Sequence, residues 1–184
     1  MSYSPRELAE AFLKTGELQD ALDAMQAHLL AAPHDDEMRR LMAQTLLRLG
    51  QEAASLAAWQ DIQTPLAEDA IHQATALLRL QRPGEATERL RAAAVRWPDD
   101  ERLAERLTQV LMAQEHLAEA YSVARGHSGW RWEHYKGDIL EAMGRHDEAR
   151  QHYLAALTAL SAIDHQSQML AAAAAHLRQK LGST

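Results

Sequence analysis

The chain has no cysteine, which excludes disulfides, thiolate metal sites and thiol nucleophiles and fits a reducing compartment. Five prolines and eight glycines are scattered singly, so no stretch reads as a linker. Aromatic residues make up only 5%. Lysine is confined to Lys14, Lys136 and Lys180, an arginine bias that a GC-rich bacterial genome produces without any functional cause. No apolar run approaches the ~20 residues of a membrane span, the most apolar stretch near the end being residues 171–175. Residues 1–10 are polar and hold no apolar signal core. A cytoplasmic protein is therefore expected. The formal charge of −7 argues against a nucleic-acid partner, since phosphate affinity needs clustered basic residues.

What is present suits a folded helical chain. Hydrophobic residues make up 47% and charged residues 24% of 184 positions, enough for one domain or a short array. Alanine, leucine, arginine, glutamate and glutamine dominate, all good helix formers.

The punctuation repeats. Pro33, Pro65 and Pro98 are spaced by 32 and 33 residues, while Gly16 and Gly50, like Ala86 and Ala120, are 34 apart. Pro33-His34-Asp35-Asp36-Glu37 returns in shorter form as Pro98-Asp99-Asp100-Glu101. An acidic pair after proline marks a helix start, where carboxylates can cap free N–H groups. Apolar stripes at helical spacing, such as Leu18, Leu22, Met25 and Leu29, continue to Leu177. No run alternates as a strand would. The spacing predicts eleven helices, near residues 5–14, 17–31, 36–49, 51–62, 66–80, 84–96, 100–113, 116–125, 130–143, 146–161 and 165–181.

These residues resemble the tetratricopeptide repeat family, whose units pair a small residue with a large one, turn on a glycine, and close on a proline. The clearest copy is Gly137, Leu140, Gly144, Ala149, Tyr153 and Ala156; the first holds Leu8, Ala9, Phe12, Gly16, Ala21, Met25 and Pro33. Ala86, Leu90, Ala93 and Pro98 form a third half. The second unit departs with Ser55, Trp59 and Ile62, and the third with Gln73. The resemblance implies an all-α, right-handed superhelix of antiparallel hairpins forming one domain over 1–184. Its repeats would span 2–35, 36–66, 67–100, 101–129 and 130–163, with a capping helix over 164–184. Each hairpin cannot bury its apolar face alone, so neighbours must stack.

Chemistry-bearing motifs are sparse. His28 and His34, like His146 and His152, are six apart, not the i, i+4 spacing of paired metal ligands on one face. Gly126-His127-Ser128-Gly129 reads as a connection between hairpins, and Asp35-Asp36-Glu37 as a cap. No nucleophile elbow or phosphate loop occurs, so no enzyme activity, catalytic residue, metal or cofactor is expected. The segment from Trp130 to Tyr135 is the most aromatic. Its three rings cannot all face the core from one helix start, so either one is an exposed anchor or Trp130 and Trp132 cover the fourth unit.

In the family, the first helix of each hairpin lines the peptide-binding surface. Projected onto that face are Arg6, Glu7, Glu10 and Lys14, then Arg40, Leu41, Gln44, Leu47 and Arg48, then Ile71, His72, Thr75 and Arg79, then Arg102, Glu105, Arg106 and Gln109, and last Arg131, His134, Tyr135 and Asp138. Of these, Arg6, Arg40, Gln44, His72, Arg79, Arg102, Arg106 and Tyr135 are the candidate contacts. Arg40, Gln44, His72, Arg102 and Arg106 are similar in position to the clamp by which some members grip a C-terminal carboxylate, with arginine for lysine and no asparagine retained. Guanidinium forks suit carboxylates. The resemblance thus implies a non-enzymatic adaptor or chaperone-like module that binds a protein or peptide, with an acidic segment or carboxylate terminus as ligand. The competing expectation is a homo-oligomeric scaffold assembling through its repeat ends or last helix, favoured if Met169, Leu170 and Leu177 form an exposed stripe.

Overall fold

The computed structural model describes residues 3–162 and 168–183. Among the described residues are eleven α-helices and no strand. They are α1 (Pro5–Thr15), α2 (Leu18–Ala31), α3 (Asp36–Arg48), α4 (Glu52–Gln60), α5 (Ala67–Arg79), α6 (Pro83–Arg96), α7 (Glu101–Ala113), α8 (Leu117–Arg125), α9 (Trp130–Ala142), α10 (His146–Ser161) and α11 (Gln168–Ser183). The expected start of the last helix, near 164, lies outside the described residues. No described helix is long and apolar enough to cross a membrane.

Local chemistry sets the helix ends. Ser4 and Glu7 form a reciprocal capping box around Pro5. Asp35 and Asp100 accept the amides of Met38 and Leu103 at 3.0 and 2.8 Å, as the acidic pairs predict. Asp36 does something else. Its carboxylate takes the amides of Gln63 and Thr64 at 3.1 and 2.8 Å, fastening the α4–α5 loop to the start of α3.

The turns repeat one device. The amides of Glu17, Gln51, Arg82, His116 and Arg145 reach back to the carbonyls of Phe12, Leu46, Leu77, Leu111 and Leu140, each at 2.9 Å. Such a closure requires a left-handed residue just before the donor. Gly16, Gly50 and Gly144 supply it with φ of 83°, 74° and 74°, but Gln81 and Glu115 adopt it at 59° and 60°.

The chain divides into two compact units, residues 1–103 and 104–184. In the first, Ala9, Ala21, Met25 and Met38 form a fully buried cluster between α1, α2 and α3. Leu22, Ala43, Leu46, Ala58 and Trp59 form the next. Alanines let the helix axes approach, and the large side chains fill what remains. Ser55 is tolerated at a small, buried site because its hydroxyl donates to the Ala43 carbonyl at 2.7 Å.

In the second unit, Leu140, Ala149, Tyr153, Ala156, Leu160, Ala174 and Leu177 form the core of α9–α11. Leu170 and Leu177 thus pack inward, and the side chain of Met169, the third member of the expected stripe, lies outside the described residues. Arg150 donates to the Leu181 carbonyl at 2.8 Å, satisfying one of the last orphan acceptors of α11.

Candidate peptide-binding surface

Gln44, Leu47 and Arg48 lie one turn apart or adjacent on α3, and His72 and Arg79 are two turns apart on α5. The packing of α3 beside α5 brings all five to one open pocket of about 230 Å³. Leu47 is buried and supplies an apolar wall. Arg48 is exposed. His72 stacks flat on the buried indole of Trp59, with ring centroids 5.2 Å apart and planes 4° from parallel. That stacking holds the imidazole in one orientation. Arg79 is half exposed, donates through Nη1 to the Leu47 carbonyl at 2.8 Å and lies 4.0 Å from a Glu52 carboxylate oxygen, which fixes its guanidinium at the pocket edge with its other nitrogens open to a ligand. The result is an apolar wall, an amide, an imidazole and two cations around one recess.

The other residues read from the sequence stand elsewhere. Arg40 is engaged within the fold: Nε and Nη2 grip the Asp69 carboxylate at 2.8 and 3.1 Å, and Nη2 also donates to the Thr64 carbonyl at 2.6 Å. Asp69 is 1% exposed and also caps α5 through the Leu66 amide at 2.8 Å. Arg40 therefore bolts α3 to the start of α5. Arg6 reaches Glu37 at 2.7 Å and Asp35 at 3.5 Å, tying α1 to the α2–α3 corner. Arg102 is largely exposed and pairs with Glu68 at 3.3 Å.

In the second unit, Arg106 contacts Gln109 at 3.5 Å on its own helix. Tyr135 accepts from Gln109 at 2.7 Å and donates to Glu105 at 2.8 Å. Burial first, and then the Glu105 carboxylate, hold the phenol above its ordinary value, so it stays a donor. Trp132 is buried at 2% exposure against His127, and Trp130 packs half-buried on the α10 core. Trp132 thus covers the end of the fourth unit at His127, whereas Trp130 packs on the core of α9–α11, and neither tryptophan is an exposed anchor.

Two features escaped the sequence. Asp69 as the partner of Arg40 has no local signal, because the pair is 29 positions apart. Trp59 stood out only as a departure from the repeat, which flagged the site without showing that His72 would stack on it.

Helical hairpins with alanines at close contacts and a left-handed turn in each define a helical-repeat fold. The chain belongs to the tetratricopeptide repeat-like domain family, whose model matches residues 51–179. A second model, described as a bacterial transcriptional activator domain, matches residues 4–82. No curated protein matches in sequence. Among solved structures the chain is similar to MamA, with a TM-score of 0.73 and 17% identity over 85% of this chain and 90% of that one. It is similar to YrrB, described as a TPR protein with an unusual peptide-binding site, with a TM-score of 0.66 and 15% identity over 93% and 88%. A thermophilic TPR protein of Thermus thermophilus gives 0.61 and 19% over 95% and 97%.

Proposed function

We propose that this chain is a protein-interaction module that takes an acidic peptide segment on the face shared by α3 and α5. The observation that carries this is the convergence of Gln44, Leu47, Arg48, His72 and Arg79 on one pocket from two neighbouring helices. The family supports an interaction role, and the description of YrrB as peptide-binding agrees with it. Leu47 offers apolar contact, while Arg48 and Arg79 offer charge-assisted hydrogen bonds to a carboxylate. Gln44 can pair with a peptide amide from either end of its own amide group. Arg40 has a different role here, because its charge is already matched by Asp69.

The test is fluorescence anisotropy with labelled acidic peptides carrying a free C-terminal carboxylate, beside amidated twins. Binding should weaken about tenfold for Arg48→Glu and fall with salt. Loss of affinity on amidation would place a chain terminus in the pocket; equal affinity would place an internal acidic side chain there. Absence of binding, or indifference to Arg48→Glu, overturns the proposal.

A further inference from the structure

A different recess of the first unit lies along α4 and α6. α4 has 9 residues, whereas α2 and α6 each have 14. Where α4 stops short, two adjoining cavities of about 320 and 190 Å³ open beside α6, and they share Arg89 and Ala92. Leu56 and Leu77 line the first, and Leu66, Gln73 and Trp97 line the second. On α5, Gln73 and Leu77 occupy a different face from His72 and Arg79.

Two observations point to a ligand. Gln73 is only 5% exposed, and its Oε1 has no hydrogen-bond partner among the described residues. Its Nε2 donates to the Trp59 carbonyl at 3.5 Å, and because a carbonyl only accepts, that contact sets which end of the amide is left open. Gln73 lines the second cavity, and its buried, unpartnered Oε1 becomes a partner for a peptide N–H once the amide turns toward that cavity.

The second observation is charge. Glu85 is paired with Arg82 at 2.5 Å, Glu88 with Arg91, and Asp69 with Arg40. Arg89 makes no ion pair among the described residues, and Arg96 lies over the Trp97 ring at 4.6 Å rather than on a carboxylate. Arg89, Ala92, Ala93 and Arg96 form one stripe of α6, so two uncompensated cations flank a strip of small residues. Leu66 is 51% exposed beside them.

We propose that this recess docks an extended acidic peptide segment, as a second site separate from the α3–α5 face. The Gln73 amide turns toward the cavity, and its Oε1 accepts a backbone N–H of the segment. Apolar side chains occupy the two cavities, against Leu56 and Leu77 in one and against Leu66 and Trp97 in the other. A carboxylate between them meets Arg89 and Arg96. The small side chain of Ala92 leaves room for the strand to pass.

A phage-displayed library of random linear dodecapeptides, panned on the full chain, supplies the probe, and synthetic copies of the selected peptides are titrated by anisotropy. Selected sequences should hold Asp or Glu between large apolar residues. Their affinity should fall about tenfold for Arg89→Glu and for Ala92→Trp, both at exposed positions. Gln73→Leu should keep the fold and still weaken binding, which a purely structural glutamine would not do. Arg48→Glu should leave these peptides unaffected. No enrichment, or affinities unmoved by Arg89→Glu and Ala92→Trp, overturns the proposal. Peptides that respond to Arg48→Glu alone overturn it while leaving the α3–α5 face standing.

Discussion

Gly137 on α9 lies against the ring of Tyr153 on α10, so closely that a Cβ at 137 would stand 2.6 Å from Tyr153 Cδ1 and nearer still to Cε1. The ring cannot give way easily. Its hydroxyl sits 2.9 Å from carboxylate oxygens of both Asp138 and Glu141, with its one proton shared between them, and the residue is fully buried. Gly137→Ala should therefore destabilise the second unit by about 1–3 kcal/mol, as overpacking does. Urea unfolding measures this, and an unchanged midpoint would mean that α9 and α10 are not held so tightly.

Arg40 and Asp69 form a largely buried ion pair. Replacing Asp69 by Ala strands the guanidinium and removes the cap on the Leu66 amide. A loss of about 3–5 kcal/mol is expected for breaking such a pair. Arg40→Met with Asp69→Leu should recover part of it. A double-mutant cycle in thermal unfolding gives the coupling, and near-additive effects would refute the bolt.

Gln81 and Glu115 adopt the left-handed conformation that glycine fills in the other turns. Substituting glycine at either position should raise stability by about 1 kcal/mol, because the Cβ clash is relieved at a site already fixed by the turn. Ala at Gly50 or Gly144 should do the reverse. Chemical denaturation of the four variants decides it.

His134 responds to pH. Burial first, and then His176 and Lys180, hold its pKa below the ordinary imidazole value, against the opposing pull of Asp138. The Tyr153 ring lies beside it from α10, and His176 and Lys180 face it from α11. The unfolded chain thus takes up a proton more readily than the folded one. The stability this group contributes is present above the unfolded value and is lost as pH falls through the folded one. Melting temperature should drop between pH ~7 and ~5, and less so in His134→Gln. Equal pH dependence in both proteins would exclude His134 as the cause.

Much of the fold was legible because it is local. Helical periodicity, the turn glycines and the alanines of Ala9, Ala21, Ala149 and Ala156 each act within a few residues or at one close contact. So was part of the candidate site: Gln44, His72 and Arg79 came from projecting one helix face. That projection could not tell an available arginine from an engaged one. Arg40 and Arg48 look alike on α3, yet one is bonded to Asp69 and the other is exposed.

The sequence by itself determined that this chain forms helical hairpins, where they turn and which faces they bury, since these follow from propensity, capping and period. Only the tertiary structure decided which polar groups are matched. Asp36 could cap its own helix but fastens the next loop, and Gln73 could be a solvated amide but is buried with one end open. Pairing of that kind depends on the neighbour that packing brings across, often about thirty positions away, and no local pattern encodes it.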